Sequence, residues 1–219
     1  MSNTAKLVSK ELKLSASPLS YVFILGAAFC MIPNYPALVG AFFVCLGIFY
    51  SFQNAREAND TLYTVLLPVA KRDAVKAKYL FAAVVEALAF AGFAALTALR
   101  TALSEVPPYD KNALMQPNLA LLGYVLIVFT IFNTVFICGF YKTAYKIGKP
   151  FIVFSVLAFV FIVATEVVHH IPGLGALNKT GTDGFYVRLA ILVASAAIYA
   201  ASFFASMNVA EKRFEKIDF

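Results

Sequence analysis

Residues 54–80 read NAREANDTLYTVLLPVAKRDAVKAKYL, a polar stretch between two apolar runs, and the rest of the chain is laid out around it. Asn59, Asp60 and Thr61 are helix starters, because their side-chain oxygens accept from free backbone N–H groups. Leu62 and Leu66 then share one helical face, and Tyr63 and Leu67 the next stripe. Pro68 ends the turn: it has no N–H to donate, and it biases Leu67 away from the right-handed helical region. Lys71, Arg72, Lys76 and Lys78 follow, with Asp73 among them. The pattern predicts a short amphipathic helix, a proline break and a basic approach to the next hydrophobic span. An ordinary basic loop is the simpler alternative, since such loops commonly flank spans on the inner side.

The apolar mass on either side sets the class. The chain is 61% hydrophobic and 14% charged, where soluble domains run at about 25% charged. Mean hydropathy is +0.79. So little polar surface cannot cover such a core, so lipid must cover it. The chain is expected to be an all-α polytopic membrane protein. Its 219 residues leave room for about six spans of roughly 20 residues and no second soluble domain. The net charge of +6 sits in short loops beside hydrophobic spans, which argues against nucleic acid as a partner.

Residues 1–17 are expected to form an amphipathic interfacial helix. Lys6, Lys10 and Lys13 fall on one side, toward anionic headgroups, with Ala5, Val8, Leu12 and Ala16 roughly opposite. A solvated tail is the alternative. Residues 18–219 form the six-span membrane domain. As one helix, 18–53 would extend about 54 Å, too long for a ~30 Å hydrocarbon core. Pro33-Asn34-Tyr35-Pro36 therefore divides it into spans near 18–32 and 37–53, or into a re-entrant pair. Gly26, Gly40 and Gly47 would let helices approach closely.

Span three runs from about Asp73 to Leu103. Glu86 lies inside it and should face protein or a water-filled path, as a substrate-path or permease-interface residue or as a protonated structural group. Arg100 is placed to snorkel outward. Span four covers about 118–140, its helix continuing toward Ile147, with Asn133 as an interhelical hydrogen-bond donor. Gly148-Lys149-Pro150 reads as a turn, followed by span five to 168. Span six covers about 185–209, followed by a charged tail from Glu211. Only Arg100, Lys111, Lys179 and Arg188, of 18 Lys and Arg, fall on the opposite side from the 54–80 stretch. That asymmetry puts both termini and the stretch in the cytoplasm.

No nucleotide loop is present, since Gly148-Lys149 is followed by proline and lacks its upstream glycine. His169, His170 and Glu166 do not make a metal site, and no nucleophile constellation is visible. Cys30, Cys45 and Cys138 all fall in spans, with no spacing that suggests a zinc site or disulfide framework. The chain is thus expected to be non-catalytic and to bind no cofactor itself. Its cytoplasmic leucines and tyrosine read as a docking ridge for another protein's groove.

The run Glu57-Ala58-Asn59-Asp60-Thr61-Leu62, then Leu66-Leu67-Pro68-Val69-Ala70-Lys71-Arg72-Asp73, then Val75-Lys76-Ala77-Lys78-Tyr79-Leu80, resembles permease subunits of type-2 ABC transporters. It is most similar to the small six-span bacterial permeases of phenol-soluble-modulin exporters. There an acidic, asparagine-containing segment leads into a leucine-proline-valine motif, a Ser-Arg pair, and a valine followed by lysine-tyrosine. This chain departs at Ala70, where the family has serine. The resemblance implies a coupling helix at about 55–67, between spans two and three, with Glu57, Asp60, Leu62, Tyr63, Leu66, Leu67, Lys71 and Arg72 engaging a separate ATP-binding subunit. ATP and Mg would be bound there. It also implies a second permease copy, an amphipathic peptide substrate, and a place in the bacterial cytoplasmic membrane. A stand-alone secondary transporter or channel and a non-transporting scaffold or immunity protein are the competing readings; the transporter would have to rest on Glu86 and Asn133 alone.

Overall fold

In a computed structural model, which describes residues 3–109 and 114–217, the chain is helical and no strand occurs among the described residues. Helix α1 (Asn3–Lys10) runs on through a π-wound turn, Glu11–Ser15. Ser17 then caps α2 (Pro18–Val22) by accepting from the Leu19 N–H at 3.3 Å. A long 3₁₀ stretch, Phe23–Met31, follows. The two arms, Thr4–Ser15 and Pro18–Met31, are bent against each other by 96°. Next come α3 (Val39–Glu57), α4 (Asp60–Leu66), α5 (Lys71–Ala102) and α6 (Leu119–Ile131). Helix α6 continues as a π segment, Phe132–Ile137, into the single turn α7 (Cys138–Phe140). Helices α8 (Gly148–Val168) and α9 (Phe185–Glu215) complete the bundle.

Four of these helices are long and apolar enough to cross a membrane: Lys71–Ala102, Leu119–Phe140, Gly148–Val168 and Phe185–Glu215. The bent N-terminal pair brings the number to five if it counts as one span. Val39–Glu57 is not among them; its last turns carry Gln53, Asn54, Arg56 and Glu57.

The anticipated close approaches are present. A Cβ on Gly40 would lie 2.1 Å from the Gly26 carbonyl oxygen, and one on Gly47 would lie 2.9 Å from that of Leu19. The first arm therefore packs on α3 at backbone contact. Ser20 strengthens the join by donating to the Gly47 carbonyl at 2.7 Å, and the Ser17 N–H donates to Ser51 Oγ at 2.8 Å. Deeper in, aromatic rings tie α3, the π segment and α8 together. Phe49 stacks on Phe151 with centroids 4.0 Å apart, and Phe136 meets Phe49, Phe52 and Phe132. The opposite faces of α8 and α9 expose aliphatic side chains such as Ile152, Val160, Val193 and Ile198, as lipid contact requires.

Several boundaries differ from the sequence reading. Helix α7 ends at Phe140 instead of continuing to Ile147, and the chain turns at Tyr141–Ala144, where Ala144 takes φ 53°. Gly148-Lys149-Pro150 is not a turn but the first turn of α8, where a proline's missing N–H costs nothing. The charged run after Glu211 is not a free tail, since α9 carries it to Glu215. Arg100 is buried, with its guanidinium 3.9 Å from the Tyr109 ring centroid. Arg188 is also buried and donates to the carbonyls of Ala176, Gly181 and Asp183, closing the segment between α8 and α9 onto the start of α9.

Candidate functional site: the clamped helix at the charged end of the bundle

Helix α4 is shorter than 55–67, because α3 runs through Glu57 and claims the first three of those residues. Asn59 occupies the N-cap position but does not cap through its side chain. It takes the left-handed conformation, φ 51°, which asparagine tolerates, and turns the chain sharply from α3 into α4. Leu67 is extended, as Pro68 requires. At Ala70, where a serine would cap, α5 starts with no side-chain cap.

The two faces of α4 have opposite characters. Leu62, Tyr63 and Leu66 point outward, joined by Leu67 just beyond the helix end, and Leu66 is 74% exposed. The inner face carries Asp60 and Thr64. Lys10 of α1 pairs with the Asp60 carboxylate, donates to Thr64 Oγ1 at 2.9 Å, and lies 3.3 Å from Glu11. Lys78 of α5 reaches Glu11 at 2.5 Å and Asp60 at 3.5 Å, and its ammonium lies 5.7 Å from the centroid of the Phe52 ring. Two ammonium groups thus meet two carboxylates, so the cluster is balanced, and the Lys78 side chain is only 8% exposed. Burial pushes the Asp60 carboxyl up, but Lys78 and Lys10 together outweigh it and hold the group below the usual carboxylate range.

A second set of contacts surrounds this clamp. Thr4 Oγ1 donates to Asp73 at 3.0 Å, fastening α1 to the first turn of α5. Arg72 grips Glu215 with two nitrogens, at 2.5 and 3.0 Å, and Lys71 donates to the Ile217 carbonyl at 2.6 Å. The expected coupling residues therefore divide. Leu62, Tyr63, Leu66 and Leu67 form the outer ridge, Asp60 faces inward, and Lys71 and Arg72 bind the end of α9. Glu57 lies on α3, where Gln53 donates to it at 3.1 Å. Of the N-terminal lysines, Lys6 and Lys13 are exposed, while Lys10 is turned into the clamp. The sequence reading gave Glu11 and Thr64 no role and placed Lys78 only in the basic approach to the next span. One signal was available: Glu11 is the only acidic residue before Glu57, so an isolated carboxylate sat among cations.

Glu86 and Asn133 do come together. Glu86 is 1% exposed and faces the interior of its own bundle. Asn133, in the π segment, donates to Glu86 Oε2 at 3.0 Å, and Tyr199 of α9 donates to the same oxygen at 2.6 Å. Tyr79 adds a 3.3 Å bond to the Asn133 carbonyl. One buried carboxyl thus joins α5, the π segment and α9. No group of three possible metal ligands occurs among the described residues.

Residues 6–211 match the family model described as ABC-2 family transporter protein. The chain belongs to the ABC-2 transporter family. It is accordingly a multi-pass membrane component of ABC transport, and ABC-2 membrane subunits generally work with an ATP-binding partner and are generally non-catalytic. No curated protein and no solved structure matches the chain. For this ABC-2 chain, α4 and the charged cluster behind it are the features to explain.

Proposed function

We propose that this chain is the permease subunit of an ATP-driven exporter and that α4, seated in a cleft of a separate ATP-binding subunit, is its coupling helix. The observation that carries the reading is the two-faced α4. An apolar ridge is presented outward on a helix too short to be stable by itself, and ion pairs to α1 and α5 hold it rigid from behind. A ridge of this kind suits a groove on another protein. The clamp then passes movement of that partner directly into α5 and α1.

The layout is six spans with both termini inside. Val39–Glu57 and the Pro18–Met31 arm join the four long helices. The arm is short, but 3₁₀ winding stretches it to about 25 Å, close to the hydrocarbon thickness. The right-angle bend before it leaves α1 lying along the interface, with Lys6 and Lys13 toward headgroups. Two permeases and two ATPases form the working unit, in a bacterial cytoplasmic membrane, with ATP and Mg held by the partner. The substrate is an amphipathic peptide of the phenol-soluble-modulin kind or a similar amphiphile, passing between the permeases. Because Glu86 is enclosed, any polar path reaching it must open within one bundle.

The energy source tests this. In vesicles holding the permease and its ATPase, amphiphile efflux should require ATP hydrolysis and persist when ion gradients are collapsed. Flux that follows a proton or sodium gradient without ATP would instead make the chain a stand-alone secondary transporter.

A further inference from the structure

A groove of about 280 Å³ opens at the charged end of the bundle, between the π segment with α7 and the start of α8. Val135, Pro150 and Val153 form its apolar walls. Gly139 lets α7 approach the start of α8 closely beside it, because a Cβ there would sit 3.1 Å from Pro150. Lys142, Lys146 and Lys149 line the mouth, and all three are exposed. No acidic residue lines the groove, and among the described residues no salt bridge involves any of the three lysines.

We propose that this groove binds an anionic phospholipid of the cytoplasmic leaflet, its phosphate held by Lys142, Lys146 and Lys149 and an acyl chain lying along Val135 and Val153. Basic residues at the inner end of a span are expected from orientation alone. The apolar slot directly beneath them goes further: it places donors for a phosphate and a wall for hydrocarbon at the depth where a lipid carries both. A free anion would use only the rim and leave the slot empty. Lysines suit this role as mobile point charges with three donors each. Thr143 lines both this groove and the neighbouring cleft that Leu62 of α4 and Tyr145 also line, so the bound lipid abuts the loop beside α4. The assignment needs only that this end is cytoplasmic and does not depend on the ATPase reading.

The test is native mass spectrometry of the full chain, delipidated in mild detergent and supplied with phosphatidylglycerol or phosphatidylcholine. One retained phosphatidylglycerol per chain is expected, preferred over phosphatidylcholine by about tenfold. Changing all three lysines to Gln should remove the preference. Val153→Trp, which keeps every lysine and fills the slot from a side that is 43% exposed, should remove the adduct. The two variants probe headgroup and slot separately, so loss of fold in one leaves the other decisive. Retention of the adduct by Val153→Trp would overturn the proposal in favour of diffuse basic attraction. So would equal binding of the two lipids, or displacement of phosphatidylglycerol by inorganic phosphate.

Discussion

Lys78 and Asp60 lie 3.5 Å apart, the first on the long helix α5 and the second on the inner face of the short helix α4. Glu11 and Lys10 complete the set, so three separate stretches of chain meet at one charge-balanced point. Removing one member of a buried pair leaves its partner uncompensated, typically at a cost of about 3–5 kcal/mol. Lys78→Ala should therefore lower the thermal stability of the detergent-solubilised chain markedly. Lys78→Ala with Glu11→Gln should recover part of the loss, and an unchanged melting temperature in Lys78→Ala would mean the cluster does not hold α4.

The same cluster sets a pH dependence. Asp60 is held below its usual value of 3.8 in the folded chain. Its contribution is therefore fully present above the unfolded value and is lost as pH falls through the folded one. Acid unfolding of the wild type should become steep below about pH 4. Asp60→Asn should be less stable at neutral pH and show a shallower acid limb, which a melting series across pH would read directly.

Glu86 accepts from both Asn133 and Tyr199. Glu86→Leu leaves both donors without an acceptor, and interhelical bonds of this kind contribute about 1–2 kcal/mol in membrane bundles. Glu86→Gln keeps a carbonyl oxygen in place and adds a donor that Asn133 Oδ1, unpartnered among the described residues, can accept from. Thermal melts should rank wild type and Glu86→Gln together, with Glu86→Leu clearly below. Equal loss in the two variants would show that volume, not hydrogen bonding, matters there.

Gly40→Ala should fail for a geometric reason. Its Cβ would meet a backbone oxygen of the first arm, which no side-chain movement can relieve. Overpacking of this kind costs about 1–3 kcal/mol. Gly148→Ala, with nothing within 4 Å, is the control. Comparable accumulation of the two variants in membranes would contradict the packing of the first arm on α3.

Much of this architecture was legible in the chain. Composition gave the class, Pro68 and the break at residues 33–36 end elements where expected, and α5 starts two residues before Asp73. The clamp was not legible, because residues 10 and 11 meet 60 and 78 only through tertiary packing, and cations beside spans look alike from sequence. The misplaced turn at Gly148 has a local cause: proline suits the first turn of a helix as well as a break.

The most direct test of the central claim is a mild-detergent pull-down of the full chain from its native membranes, with copurifying chains identified by mass. Burying each ridge leucine contributes about 1.5–3 kcal/mol. Wild type should bring down a stoichiometric ATP-binding subunit, and Leu66→Asp/Leu67→Asp should lose it while its spans remain folded. Equal recovery of the ATPase by the double variant would contradict the assignment of α4 as the coupling helix.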